Sequence, residues 1–506
     1  MKIPYRVLIP ATFIVLLTAC NAARGAQQPQ ETPDKPAEKS AESSGTQDSS
    51  PQSNGASQER VELIRTLQQA PLPEAQAALD AAIAASPEMY QLQQFRSLLA
   101  ARLAAANEMK AATDQLQIAC ESLLQHADNP AAFRSLAGLL ESFRSYLGQT
   151  NEPQRLTPLL TQALENARSK ATSDAKGRYL VPLAQLTGLQ ARELTTAGHT
   201  SEAVELLDSE FKALQATMES PDSGEQALLA GVQLLQTIQT LNRNADATTA
   251  DSRQDALEDL FAKGLTTHPE STAIAAEFVR FRTASAGKIY RDQPEAARKI
   301  LNDTRDLIEK TEIAKAPPVV AALVMIKPME RRIETAILHR EMIGKPAPAI
   351  DATAWVNGES RDPSALKGKV LLLDFWAVWC GPCIATFPHL TELHNEFHEQ
   401  GLEIIGVTRQ YGYEWNADTS RAAKSQADVS MENELAMLNQ FMQHHQLKHA
   451  SIVTPKESEM MKQFGVSGIP HAVLIDRQGH VRMIKVGSGT DNARALHDMA
   501  KQLLAE

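Results

Sequence analysis

Apolar positions fall along this chain in four textures. Residues 7–17 are mostly apolar behind Lys2 and Arg6, a run too short to cross a bilayer, which takes about 20 residues. Residues 21–60 hold no Val, Ile, Leu, Met, aromatic or Cys and are rich in Gln, Ser, Glu, Pro, Ala and Gly. Such a stretch cannot bury enough apolar surface to offset its conformational entropy, so a disordered tether is expected over 20–60. From residue 61 the spacing turns helical. Leu92, Phe95, Leu99 and Leu103 form one stripe, Val204, Leu207, Phe211 and Leu214 a second, and Leu228, Val232, Leu235, Ile238 and Leu241 a third. Ser86-Pro87, Asp128-Asn129-Pro130, Ala197-Gly198-His199-Thr200, Ser220-Pro221-Asp222, His268-Pro269 and Gln293-Pro294 punctuate these stripes. Strand-like alternation is nearly absent, so 61–340 is expected to be an all-α domain. Pieces such as Ala75 to Leu103 resemble tetratricopeptide-type helical hairpins, but the punctuation keeps no fixed period, so a degenerate tetratricopeptide-like array or an irregular bundle is expected.

The fourth texture begins at Ile343-Gly344-Lys345-Pro346-Ala347-Pro348, where two prolines stop the last helix and favour extended chain. Val370-Leu371-Leu372-Leu373-Asp374-Phe375-Trp376 is a continuous apolar run, the mark of a central strand buried on both faces. A helix is expected over 388–400, a second central strand over 402–407 and another helix over 431–446. A β-hairpin over 472–484 turns at Arg477-Gln478-Gly479, and a last helix runs over 492–504. Residues 341–506 therefore read as a small α/β domain with a mixed sheet.

Composition narrows the class. With 506 residues, two to four domains are expected. A net charge of −11 argues against nucleic acid as a partner, since phosphate binding needs a basic surface. No second apolar run reaches the length of a membrane span, so no transmembrane helix is predicted. Four cysteines are far too few for a disulfide-stapled scaffold. Cys120 sits in a helical stripe and reads as a small buried hydrophobe. Leu17-Thr18-Ala19-Cys20 closes the N-terminal apolar run and resembles the lipobox of bacterial lipoproteins. That resemblance implies a signal peptide over 1–19, lipidation of Cys20 and a membrane anchor.

The chemistry gathers in Trp379-Cys380-Gly381-Pro382-Cys383, after a buried strand and before a helix. Two sulfurs separated by two residues at a helix start can close a disulfide without strain. Free N–H groups at the helix N-terminus lower the pKa of the first thiol, and Pro382 suits a first helical turn because it has no N–H to satisfy. Cys380 is then expected to be the exposed nucleophile and Cys383 the buried resolving thiol. Half of a zinc site is the competing reading, but no second Cys or Cys/His pair at ligand spacing exists, so no metal is expected. A peroxidatic cysteine would sit in a different local setting. His394 and His398 stand four apart on a helix without a third ligand and read as a solvated face.

The segment 374–383 resembles the active-site segment of thioredoxin almost residue by residue. Gly344-Lys345-Pro346-Ala347-Pro348, Lys367-Gly368-Lys369 and Phe464-Gly465-Val466-Ser467-Gly468-Ile469-Pro470 resemble the exported TlpA/ResA-type branch of that family. The resemblance covers about the last third of the chain and implies a thioredoxin fold with a redox-active disulfide. It implies that Asp374 is a buried proton carrier for Cys383, that Ile469-Pro470 is a cis-proline loop facing the disulfide, and that Trp379, Gly381 and Pro382 border the substrate. Thr386 stands where many relatives carry Glu, which leaves the acid–base work to Asp374. His471 reads as a surface-facing strand residue. The segment between 408 and 431, with Tyr411, Tyr413 and Trp415, is longer than the family pattern; it serves either as a substrate lip or as packing on its own domain.

The reading is a membrane-anchored, exported thiol–disulfide oxidoreductase needing no cofactor, facing the periplasm or extracytoplasmic space. Its partners would be exported protein disulfides or dithiols and a membrane electron donor, with a reducing direction. The alternative is an anchored scaffold whose helical array binds partners while the redox domain is secondary.

Overall fold

The computed structural model describes residues 52–241, 247–352, 354–359, 366–455 and 458–506. The signal segment, Cys20 and the tether up to residue 51 lie outside the described residues. The chain divides into two compact units, Met1–Ile274 and Ala275–Glu506. That division falls inside the stretch read as one helical domain over 61–340. None of the described helices is long and apolar enough to cross a membrane.

The first unit is helical throughout its described residues. Its first helix, Gln52–Gln69, starts inside the segment expected to be tether, so helix propagates into residues that carry no apolar stripe. Further on, the helices Met109–Leu124, Pro130–Thr150, Leu156–Ser173 and Leu180–Thr196 share one core. Leu99, Leu116, Leu123, Phe133, Leu136 and Phe143 are buried in it. The predicted punctuation works as caps. Asn129 accepts the backbone N–H of Ala131 at 2.9 Å, with Pro130 opening the helix behind it. Gly198, at φ +92°, follows the helix Leu180–Thr196 in a backbone conformation that side chains disfavour. One stripe is broken: Leu92 and Phe95 belong to a 3₁₀ turn, Tyr90–Phe95, that precedes the helix Arg96–Ala105. Cys120 is a free, fully buried thiol in this core, and burial pushes its pKa up.

The second unit carries helices at Pro294–Glu309 and Pro317–Val324, then α1 (Ile326–Met342). After α1 comes the α/β part. Its sheet is β1 (Ala354–Val356), β2 (Val370–Phe375), β3 (Leu402–Arg409), β6 (Ala450–Thr454), β7 (His471–Ile475) and β8 (Val481–Val486), in the order β1-β6-β3-β2-β7-β8. Strands β2, β3 and β6 are parallel, and β7, β8 and β1 run against their neighbours. A separate hairpin, β4 (Tyr413–Asn416) with β5 (Arg421–Lys424), lies between β3 and the helices that follow. The helices are α2 (Gly381–Phe397), α3 (Met431–His444), α4 (Met460–Gln463) and α5 (Thr490–Ala505).

Alternation along β2 sorts its side chains between two cores. Val370 and Leu372 join Phe387, Leu390, Phe441 and Leu496 on the face covered by α2, α3 and α5. Leu371, Leu373 and Phe375 join Val407, Val473, Phe464 and Met342 on the other. Met342, with Leu338 beside it, comes from α1, so the last helix before Pro346 belongs to the second core of the sheet. α1 thus shares a core with the sheet that follows it. The sheet and its helices have the thioredoxin-like topology expected from the sequence.

Candidate active site

Strand β2 delivers the chain to the site. Trp376 follows it and is fully buried, stacked on Phe441 at 5.4 Å and donating its indole N–H to Ser451 Oγ at 3.3 Å. Gly406 makes room for that ring: a Cβ there would lie 2.0 Å from Ser451 Oγ and 2.7 Å from Trp376 Nε1. With Trp376 locked, the next residues turn directly into α2.

Cys380 is the N-cap of α2, and Cys383 stands in its first turn. The two sulfurs form a disulfide with an S–S distance of 2.00 Å and Cα atoms 5.3 Å apart. The Cys383 backbone N–H donates to Cys380 Sγ at 3.2 Å, the contact that would stabilise a thiolate on Cys380. Pro382 sits in the first turn, where its missing N–H leaves no helical bond unmade. The expected contrast in exposure needs correction. In the disulfide form Cys380 is only 4% exposed and Cys383 is fully buried, because both belong to the α2-side core. The exposed group is Trp379, at 51%. Access to Cys380 is therefore narrow, and Trp379 forms its rim.

Asp374, on β2, is 2% exposed, and its Oδ2 has no hydrogen-bond partner. Burial pushes its pKa up from 3.8 to about 7. A carboxyl in that range can take and return a proton near neutral pH. The Ile469–Pro470 peptide bond is cis. Asp374, Thr386 and Pro470 line one small cavity with residues of β7, β8 and α5.

His471 corrects another expectation. It is fully buried, not surface-facing, because β7 lies between β2 and β8 and its ring falls on the face that α1 covers. The ring stands 5.4 Å from Phe375 and 5.1 Å from His339 of α1, edge-on to both. Burial, together with His339 beside it, pushes its pKa down to about 3, so it is neutral at physiological pH. His339 shares a hydrogen bond with the Gly465 carbonyl at 2.8 Å.

The long segment after β3 divides between the two readings given to it. Tyr411 sets its ring edge-on to Trp379 at 5.6 Å, with the Arg409 guanidinium 5.0 Å above it, so this part borders the site. Trp415 instead packs on Phe441 and His444 of α3. Sequence reasoning missed what holds the lip. Glu434, in the first turn of α3, is 1% exposed and accepts the N–H groups of Tyr411 at 2.6 Å and Gly412 at 2.8 Å. Only the burial of a carboxylate beside a long loop signals such a role, and sequence does not show burial. His394 and His398 stack on each other at 4.5 Å, and among the described residues no group of three or more His, Cys, Asp or Glu is placed to hold a metal.

The Redoxin family model matches residues 342–503. The thiol-disulfide oxidoreductase ResA of Bacillus anthracis is 30% identical over 152 residues, which is 30% of this chain and 74% of that protein. ResA of Bacillus thuringiensis subsp. konkukian is 29% identical over 161 residues, 32% of this chain and 78% of that one. Among solved structures, a thiol-disulfide isomerase from Corynebacterium glutamicum is 23% identical, covering 32% of this chain and 97% of its own, with a TM-score of 0.26. Through its last third, the chain belongs to the family of ResA-type thiol-disulfide oxidoreductases.

Proposed function

We propose that this member of the ResA-type oxidoreductases is an exported, lipid-anchored reductase of protein disulfides. The observation that carries the chemistry is the Cys380–Cys383 pair at the N-terminus of α2, with Asp374 buried and unpartnered at Oδ2 in the same core region. Cys380 thiolate attacks a partner disulfide, forming a mixed disulfide and expelling the partner's other sulfur as a thiolate. Asp374 takes the proton of Cys383, whose thiolate attacks Cys380 Sγ, breaks the Cys380–partner bond and releases the partner's second sulfur as a thiolate; both partner thiolates take protons from solvent. Two electrons pass from the dithiol to the partner, and the chain is left as the disulfide. A membrane electron donor restores the dithiol. Cys20 would carry the lipid, and the stretch behind it would hold the folded units away from the bilayer. The scaffold alternative is weaker, because a retired redox site gains nothing from an unpaired buried acid.

The test is reduction of a protein disulfide such as insulin by the full chain with a thiol donor. Turnover that disappears in Cys380→Ser supports the reading. Equal rates in wild type and Cys380→Ser would leave the scaffold as the function.

A further inference from the structure

His339, in the last turn of α1, grips the chain on both sides of one loop. That loop runs from Gly465 to Pro470 and leads into β7. At its start, His339 Nε2 lies 2.8 Å from the Gly465 carbonyl oxygen. A carbonyl can only accept, so the proton of this bond sits on His339 Nε2. At its end, the same ring stands edge-on to His471, the first residue of β7, at 5.1 Å. Glycine makes the first contact possible. Gly465 has φ +63°, and a Cβ there would lie 2.8 Å from His339 Nε2 and 3.1 Å from Leu338 Cδ2. Between the two anchors, Ser467, Gly468 and Ile469 make no backbone–backbone hydrogen bond among the described residues. The second anchor is a buried polar ring with neither nitrogen partnered: His471 touches His339 and Phe375 instead. Burying an imidazole in that way costs stability, so its place there calls for another reason.

The loop stands beside the disulfide turn. Phe375 and His471 are the last register pair of β2 and β7. One residue further, β2 passes into Trp376 and the turn to Cys380, while Pro470 closes the loop alongside. Pro470 lines the cavity that Asp374 and Thr386 also line, and Ile469 packs at the margin of both cores. We propose that α1 is the back wall of this loop and that His339 is its positioning residue, fixing Ser467, Gly468 and Ile469 where a partner polypeptide lies as it presents its disulfide to Cys380. The inference rests on the reductase reading above. A loop without backbone hydrogen bonds of its own takes its shape from its anchors. Ordering it in advance lowers the entropy cost of binding a partner. The imidazole fits the task. Burial pushes its pKa below the usual 6.5, so at neutral pH it carries one N–H and no charge, and that N–H goes to Gly465. His471 completes the staple, because it offers the His339 ring a flat surface at the far end of the loop. The last helix before Pro346 thus reaches the redox site from the opposite side of the sheet to α2.

The experiment measures kcat and KM for insulin reduction by the full chain with a thiol donor. His339→Leu removes the N–H at similar volume. It is expected to raise KM about threefold to tenfold, the weight of one lost hydrogen bond, and to leave kcat within about twofold. His339→Gln restores an N–H at the place of Nε2 and is expected to bring KM back to within about twofold of wild type. An unchanged KM in His339→Leu overturns the proposal. So does an equal rise in both variants, or a fall in kcat at constant KM, either of which would mark a merely structural residue. A second readout does not depend on how His339→Leu folds. In the wild-type chain with isotopically labelled histidine, long-range proton–nitrogen NMR correlations, assigned by their loss in His339→Gln, are expected to place the His339 proton on Nε2. A proton on Nδ1 overturns the proposal. Failure of the underlying reading is distinct: Cys380→Ser would reduce insulin as fast as wild type, with the His339 proton still on Nε2.

Discussion

The helical region and the sheet region treat a buried charge in opposite ways. In the helices, Arg96 is 7% exposed and fully engaged: it donates to Asp80 at 2.7 Å, Gln93 at 3.0 Å and Gln115 at 2.5 Å. In the sheet, Asp374 is 2% exposed with Oδ2 unpartnered. A satisfied buried charge ties elements together; an unsatisfied one costs stability and needs another reason to be there. For Asp374, the reason we propose is proton transfer to and from Cys383. Glu434 is the instructive intermediate, a buried carboxylate with partners, and its role is to hold the loop at the site rim.

The largest effect separates the regions by activity. Cys380→Ser is expected to abolish disulfide exchange, and Cys383→Ser to stop at the mixed disulfide, which non-reducing electrophoresis detects as a trapped adduct. Leu99→Ala, in the helical core, should cost about 2–5 kcal/mol in denaturant unfolding. Exchange per folded molecule should not change, and a parallel loss would break the comparison.

The next effect is one of sign. The pKa of Asp374 in the folded chain lies above its ordinary 3.8, near 7. The stability tied to this group is therefore complete below about pH 4 and lost as pH rises to about 7, at roughly 1.4 kcal/mol per unit. Asp374→Asn should remove that loss, so the variant should be more stable than wild type at pH 8 by several kcal/mol and nearly equal to it at pH 4. It should also exchange disulfides about 10²-fold more slowly. Arg96→Met should do the reverse, costing about 1–3 kcal/mol with exchange intact, because it strands Gln115 and Gln93. Equal signs for the two variants in chemical denaturation would erase the contrast.

Smaller effects sharpen it. Gly406→Ala should cost about 1–3 kcal/mol, since its Cβ would meet Ser451 and Trp376. Glu434→Gln should cost about 1 kcal/mol and raise KM more than it lowers kcat, because it loosens Tyr411 beside Trp379 without touching the sulfurs.

The two regions also differed in how far sequence could be read. Helical stripes were legible because one period repeats over many residues, and β2, β3, β7, β8 and the Cys380–Cys383 turn were legible because apolar runs and punctuation coincide there. β6 escaped notice although Ile452-Val453-Thr454 is β-branched, because it is short and follows a helix closely. The β4–β5 hairpin was hidden because each strand is only four residues long and it joins no large sheet. The burial of His471 depends on α1 covering its face of the sheet, a contact between residues far apart in sequence. The role of Glu434 is likewise a fact of tertiary placement, since its partners lie more than 20 residues away.

The most direct test of the central claim is the reduction potential of the Cys380–Cys383 pair in the full chain, equilibrated in dithiothreitol redox buffers and read by thiol labelling. The account predicts a single two-electron transition near thioredoxin's value, about −270 mV, as a reductase requires. A transition near −120 mV, the range of strong disulfide donors, or no transition at all, would contradict it.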